Sequence, residues 1–255
     1  MSQPSRELSV ALEAARAAEE IIRRTYRSGL EVRLKADRSP VTEADVACER
    51  AIKGVISRAF ADHGFYGEEL GREAMDAEHV WLIDPIDGTK SFVRGYPFFS
   101  TQIALMRRGE LVLGVSNAPM FGELAYAEKG CGAWLNEAAI RVSEVASLGE
   151  ATLSLGNVAS LAASPRWARL GRLVGEVNRI RGYGDFYHYH LLASGRLDVV
   201  LESDVNILDI AGLSVIVREA GGDITDLEGA PVGLDTRSVL ATNGRLRDAV
   251  RGLIG

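Results

Sequence analysis

The sequence predicts a layered α/β protein of two tightly joined halves. Three observations predict it. Apolar residues at helical spacing recur up to Phe60 and lead into a short apolar run, His79–Ile83. From Ser100 to Trp134 the pattern changes to alternating strands separated by breakers. Beyond Ala163, helical and strand patterns alternate to the last residue. A chain of 255 residues is ample for a large buried core, and no repeat, low-complexity tract or long linker interrupts it.

The elements follow in order. Leu8, Leu12, Ala15 and Ile22 lie at helical spacing, with Gly29 as the stop. A second helix starts after Pro40-Val41-Thr42 and presents Val46, Ile52, Val55, Ile56 and Phe60 to the core. His79–Ile83 reads as a buried strand that runs into a turn, Asp84-Pro85-Ile86-Asp87-Gly88-Thr89. The runs TQIALM, ELVLGVSNA and ELAYAE predict an antiparallel meander, turning at Arg108-Gly109 and at Pro119–Gly122. The chain reaches its midpoint around Ser147–Ala163, which divides it into an α+β half, 1–146, and an α/β half, 147–255. In the second half, helix is expected at Pro165–Ile180, Phe186–Ala193, Ile210–Glu219 and Leu246–Leu253. Strand is expected up to Gly184 and at Leu197–Leu201 and Val239–Thr242, with Asp223-Ile224-Thr225 following the Ile210–Glu219 helix.

Composition excludes several classes of function. The net charge of −6 argues against a nucleic-acid binder, which would carry a basic surface. No apolar run approaches the ~18 residues of a membrane span, and Ser9–Tyr26 mixes charge and alanine like a surface helix rather than a signal peptide. A cytoplasmic protein is the expectation. Cys48 and Cys131 are too few for a disulfide framework and have no zinc-ligand spacing, so they read as buried or half-buried thiols.

Four acidic clusters carry the chemistry. Asp84 and Asp87 flank a Pro-Ile pair after the buried strand, with Gly88 and Thr89 opening the next element. Hard divalent cations take oxygen ligands and exposed amides cradle phosphate, although an Asx turn with a helix cap has the same composition. Gly67-Glu68-Glu69-Leu70 is either a solvated loop or the source of one more ligand, Glu68. In Lys35–Asp45, Thr42 and Asp45 stand near capping-box spacing, a helix start that also leaves Asp45 able to accept a bond from a hydroxyl across a cleft. Asp209, in Glu202–Gly212, precedes an apolar helix as a cap or as a ligand. No cysteine, serine or histidine nucleophile is needed, and His63, His79, His188 and His190 all lie outside these clusters.

These strings resemble the inositol monophosphatase superfamily. DPIDGTKSF at Asp84–Phe92 resembles its metal-binding signature and LDIAGLSVIVREAGG at Leu208–Gly222 its second signature. GEEL at Gly67–Leu70 and KADRSPVTEAD at Lys35–Asp45 are similar to two further blocks, in the family's order and across nearly the whole chain. Leu208 departs from it: many members carry tryptophan there, at a position that packs rather than ligates. The resemblance implies an αβαβα layered sandwich and a phosphatase that uses two to three Mg²⁺ ions. It implies that Glu68, Asp84 and the Ile86 carbonyl hold one ion, that Asp84, Asp87 and Asp209 hold a second, and that a weaker third leans on Glu68. Thr89 and Asp45 would orient the attacking water, and the Gly88 and Thr89 amides would hold phosphate. The physical logic is that of metal-assisted phosphoryl transfer: cations screen an anionic ester from its nucleophile and neutralise the leaving oxygen.

RSPVTEAD with GTKSF is most similar to the histidinol-phosphate phosphatase branch. By family analogy, Asp185 faces the leaving-group pocket, and Glu202, seven residues before Asp209, matches a leaving-group glutamate. Two acids suit a cationic amine, so histidinol phosphate is the expected substrate, unless Asp185 merely caps the Phe186 helix. Inositol-1-phosphate or a broad range of sugar phosphates is the alternative. Nucleotide 3′-phosphatase and fructose-bisphosphatase activities rank lower, because no adenine or second-phosphate motif is evident. A non-catalytic relative would have lost a ligand, and every motif carboxylate is present. The family implies a homodimer acting on a small phosphorylated metabolite, with no nucleic acid or membrane partner.

Overall fold

The computed structural model describes residues 4–26, 32–34 and 40–255. Gly29 and the Lys35–Ser39 part of the third cluster lie outside the described residues. Helix α1 (Arg6–Tyr26) leads to strands β1 (Val32–Leu34) and β2 (Pro40–Thr42), then to helix α2 (Glu43–Ala59). The short strands β3 (Gly64–Gly67) and β4 (Gly71–Glu73) precede β5 (His79–Asp87) and helix α3 (Thr89–Val93). The meander is β6 (Ser100–Arg107), β7 (Glu110–Ala118) and β8 (Glu123–Glu128), continued by β9 (Ala133–Leu135) and β10 (Ala138–Ile140).

Strand periodicity builds the layers. Along β5, Trp81 and Ile83 point into a core shared with Leu8, Ala15 and Ile22 of α1 and Ile52 and Ile56 of α2. Val80 and Leu82 point the other way, into a core with Ile210, Leu213 and Val217. Both faces of β5 are covered, so an unbroken apolar run is what such a strand needs. The strands assemble in the order β10-β9-β8-β7-β6-β5-β3-β4, antiparallel throughout except for the parallel β3–β5 pair.

The second half holds β11 (Thr152–Gly156), α4 (Val158–Ala163), α5 (Trp167–Glu176), β12 (Arg179–Arg181) and α6 (Asp185–Ala193). It continues with β13 (Val199–Ser203), α7 (Ile207–Glu219), β14 (Asp223–Thr225), β15 (Ser238–Thr242) and α8 (Arg247–Ile254). Its five-stranded sheet runs β12-β11-β13-β15-β14. Val199, Leu201 and Leu240 face α5 and α8, while Val200, Val239 and Ala241 face α6 and α7. Helices α1 and α2, the large sheet, helices α6 and α7, the small sheet and helices α5 and α8 thus stack as αβαβα, the layering expected.

Several local expectations change. The breaker-rich segment Asp84–Asp87 is not a turn: β5 runs through it, and its pairing with β6 slips between Asp84 and Asp87. That bulge accommodates Pro85, which has no amide to give the ladder. Ser147–Ala163 is more than a midpoint, for it carries β11 and α4. The Pro165–Ile180 helix is shorter, because Arg179–Arg181 pairs with β11 as an edge strand. Cys48 is buried, but Cys131 is exposed. Among the described residues no helix is long and apolar enough to cross a membrane.

One contact fixes α7 against the large sheet. A Cβ on Gly114 of β7 would lie 2.1 Å from the Gly212 carbonyl oxygen, so helix and strand touch backbone to backbone. Asp209 stands one helical turn before Gly212.

Candidate active site

Strand ends and helix starts meet at one place. Strand β5 ends in Asp84–Asp87, β3 is followed at once by Glu68, and β13 carries Glu202 near its end. Helices α6 and α7 begin beside them with Asp185 and Asp209 in their first turns. Asp84, Asp87 and Asp209 each offer a carboxylate oxygen, and the three oxygens lie within 4.8 Å of one another. Asp84 is 3% exposed and Asp87 9%. Glu68, on the exposed hairpin loop, stands outside that trio but acts on Asp84 through its charge and a side-chain hydrogen bond.

Burial and mutual repulsion hold protons on these acids. Asp84 titrates well above the usual carboxylate range because it is buried and because Glu68, Asp87 and Asp209 face it. Asp87 rises for the same reason, with Asp185 and Asp209 the strongest of its neighbouring charges. Burial pushes Asp209 up to about 7 against the pull of the Asn206 amide, with Glu68 and Glu202 adding repulsion. Asp185 rises to about 6 through burial and the charge of Glu202, partly offset by His188 and Lys90. Buried carboxylates in close contact are costly unless a cation joins them. The donors are hard oxygens, without cysteine or histidine in the trio, which suits Mg²⁺ rather than a soft metal. The residues therefore fit the ion.

Each acid is held in place. The Asp84 Oδ1 accepts the Ile86 amide at 3.0 Å. Ser100 donates to Asp87 Oδ2 at 3.4 Å and accepts from the Gln102 side-chain amide at 2.8 Å. Asp209 is the N3 residue of α7: its Oδ2 accepts the Asn206 amide at 2.9 Å, and the Asn206 side chain caps the helix in return. Asp209 therefore serves the helix start and the acidic cluster together. The Thr89 hydroxyl lies 3.0 Å from the Ile86 carbonyl and 3.3 Å from Asp45 Oδ1, two acceptors for its one proton. Gly88, at φ 87°, makes the turn into α3, and a Cβ there would meet the Phe98 carbonyl at 2.5 Å.

A small cavity opens beside the cluster, lined by Asp87, Asn157, Asp185, Tyr189, Glu202 and Asp209. Asp185 does not cap α6: Gly184 occupies the cap, and Asp185 is the first helical residue, held at a left-handed φ of 47°. That conformation is uncommon outside glycine and occurs where surrounding contacts enforce it. Glu202 is buried, and its Oε2 contacts His188 Nε2 at 3.1 Å and accepts the Tyr189 hydroxyl at 2.8 Å. Its carboxylate also fills the space that a Cβ on Gly156 would need.

No local pattern marks these supports. His188 and Tyr189 belong to an almost wholly buried α6, and their link to Glu202 spans 14 and 13 residues. Glu49 accepts two amides beside Glu68, yet in sequence it is one more acid on an amphipathic helix.

A sheet-end carboxylate cluster with a hydroxyl–carboxylate pair beside it offers the donors that metal-assisted hydrolysis of phosphate esters uses. The Inositol monophosphatase family model matches residues 3–253, and the chain belongs to that family, whose members are Mg²⁺-dependent phosphatases of phosphate monoesters. It is 38% identical to a histidinol-phosphatase of Mycobacterium tuberculosis, with 96% of each chain covered. It is 37% identical to inositol monophosphatase 3 of Solanum lycopersicum, covering 95% of this chain and 94% of that one. Its fold matches the extragenic suppressor protein suhB of Bartonella henselae with a TM-score of 0.89 at 32% identity, over 98% of both chains.

Proposed function

We propose that this chain hydrolyses histidinol phosphate to histidinol and phosphate, with Mg²⁺ held by Glu68, Asp84, the Ile86 carbonyl, Asp87 and Asp209. The observation that carries the substrate choice is Asp185: a carboxylate in a strained backbone conformation, lining the same cavity as Glu202 and adjoining Asp87. A neutral polyol would leave that half-buried charge offset only by His188 and Lys90. An alkylammonium supplies a partner, and the charge pair favours the ionised form of Asp185. Glu202, already engaged by His188 and Tyr189, turns a fixed acceptor toward the leaving group.

Two to three bound Mg²⁺ ions would screen the ester's charge, acidify a water and neutralise the departing alkoxide. The remaining work falls to the chain. The Thr89 hydroxyl, with Asp45 as its acceptor, orients the attacking water and receives its proton through the pair. The Gly88 and Thr89 amides take phosphate oxygens. The buried walls made by Ile210 and Leu213 keep other water away. The working unit is taken to be a cytoplasmic homodimer.

A panel of histidinol phosphate, inositol-1-phosphate, adenosine 3′,5′-bisphosphate and fructose-1,6-bisphosphate tests the choice through kcat/KM. The Asp185→Asn variant is expected to lose about 10- to 100-fold on histidinol phosphate, chiefly in KM, and little on inositol-1-phosphate. An unchanged kcat/KM on histidinol phosphate removes the amine pairing. A parent enzyme that prefers inositol-1-phosphate replaces the substrate.

A further inference from the structure

We infer that Glu49 is a positioning residue that clamps the loop bearing Glu68 and thereby sets the affinity of the site for Mg²⁺. The inference rests on the proposed role of Glu68 as a metal ligand.

Glu68 sits at a mechanically weak point. It opens the three-residue loop between β3 and β4, closed by the Gly67–Gly71 pair, and its side chain is exposed. A metal ligand must be held within about 0.5 Å of its working position, and exposed hairpin tips do not supply that. Here the chain on both sides of the Glu68 Cα is tied down. Its own amide donates to the Ile83 carbonyl at 3.2 Å, which fastens it to β5. The next two amides, of Glu69 and Leu70, donate to Glu49 Oε2 at 2.7 Å and Oε1 at 3.0 Å.

The clamp is built into the core. Glu49 is 2% exposed, and a Cβ on Gly67 would lie 1.7 Å from its Oε1, so only glycine before Glu68 lets the carboxylate lie across the loop. Glu49 stands one helical turn after Asp45 on α2, and both are buried. One rigid helix thus presents Asp45 to Thr89 and Glu49 to the Glu68 loop. Burial raises the Glu49 carboxyl above its usual range and the two amides pull it back, so the amide bonds are what make a buried carboxylate there tolerable.

The test is Mg²⁺ titration by isothermal calorimetry without substrate, on the parent chain, Glu49→Gln and Gly67→Ala. A glutamine can accept only one of the two amides, and the alanine displaces the carboxylate while Glu49 remains. Both variants are expected to bind Mg²⁺ about 10- to 100-fold more weakly. The kcat at saturating Mg²⁺ is expected to recover to within about twofold, with substrate KM unchanged, because only the metal equilibrium has moved. On the parent chain, the Glu69 and Leu70 amides should exchange slowly with solvent deuterium, a readout that stands even where a variant fails to fold. Parental Mg²⁺ affinity in both variants, or fast exchange of those amides, overturns the inference. A parent chain that binds no Mg²⁺ sinks the proposed phosphatase chemistry instead.

Discussion

Replacing Gly114 by alanine puts the geometry of the site under a defined load. The added Cβ would lie 2.1 Å from the Gly212 carbonyl oxygen, whereas real Cβ atoms essentially never come within 3.0 Å of another heavy atom. The obstructing atoms are backbone, so no flexible side chain can yield, and α7 must leave the sheet by roughly 1 Å. Overpacking of this kind costs about 1–3 kcal/mol. For a domain of this size each kcal/mol lowers Tm by roughly 2–4 °C, so a fall of about 2–12 °C is expected. The displacement carries Asp209, one turn away, off the Asp84–Asp87 pair, and a misplacement near 1 Å can cost about 10²-fold in rate. Thermal unfolding and Mg²⁺-dependent phosphate release measure the two effects. Gly171→Ala is the control: nothing lies within 4 Å of a Cβ there, and Gly171 is inside α5, so a gain of about 0.5–1 kcal/mol is expected. If Gly114→Ala retains the parental Tm and kcat/KM, Asp209 is not positioned by this contact.

Other expectations concern charge. In the metal-free chain Asp209 titrates near 7 and Asp185 near 6, both above the 3.8 of a free aspartate. Between those limits the folded state binds more protons than the unfolded state, so stability falls as pH rises from about 4 to about 7. Melting in EDTA should show that fall, and saturating Mg²⁺ should flatten it and raise Tm by adding about 2.7 kcal/mol of stability at 100 times Kd. A flat EDTA profile would mean that neither burial nor mutual repulsion raises these acids in the folded chain. Tyr189→Phe removes a donor from buried Glu202 and should cost about 1.5–3 kcal/mol in urea unfolding. Burial pushes the Cys48 thiol up to about 12, so a thiol reagent at neutral pH should label the folded chain once, at Cys131.

What the sequence discloses follows from how local each cause is. Asp84, Asp87 and Asp209 stand out because a carboxylate beside a buried strand or an apolar helix start is locally anomalous. The meander is legible because period-two alternation and its turns lie within a few residues of each other. The bulge in β5 is not legible, because Pro85 reads as a breaker until β6 is known to tolerate a slip of register there. Strand β11 is missed because TLSLG is too short to declare itself without β12 and β13 on either side. The Ser116–His190–Glu123 chain, with contacts of 2.8 and 2.9 Å across 74 and 67 residues, has no local trace at all.

The site divides its work along the same line. The trio Asp84, Asp87 and Asp209 comes from the end of one strand and from a helix pinned backbone to backbone on the large sheet, so its spacing is a property of the layers. Asp185 and Glu202 come from a helix start and the small sheet, and neither is needed to close the trio of oxygens. On the proposed reading, a change at residue 185 alters which leaving group is accepted and reaches the cation site only through its charge on Asp87, whereas a change at Gly114 or Gly212 moves the trio itself. If the proposed roles hold, substrate choice is separable from chemistry. An Asp185→Asn enzyme that lost Mg²⁺ affinity along with histidinol phosphate would show the two to be one structural unit.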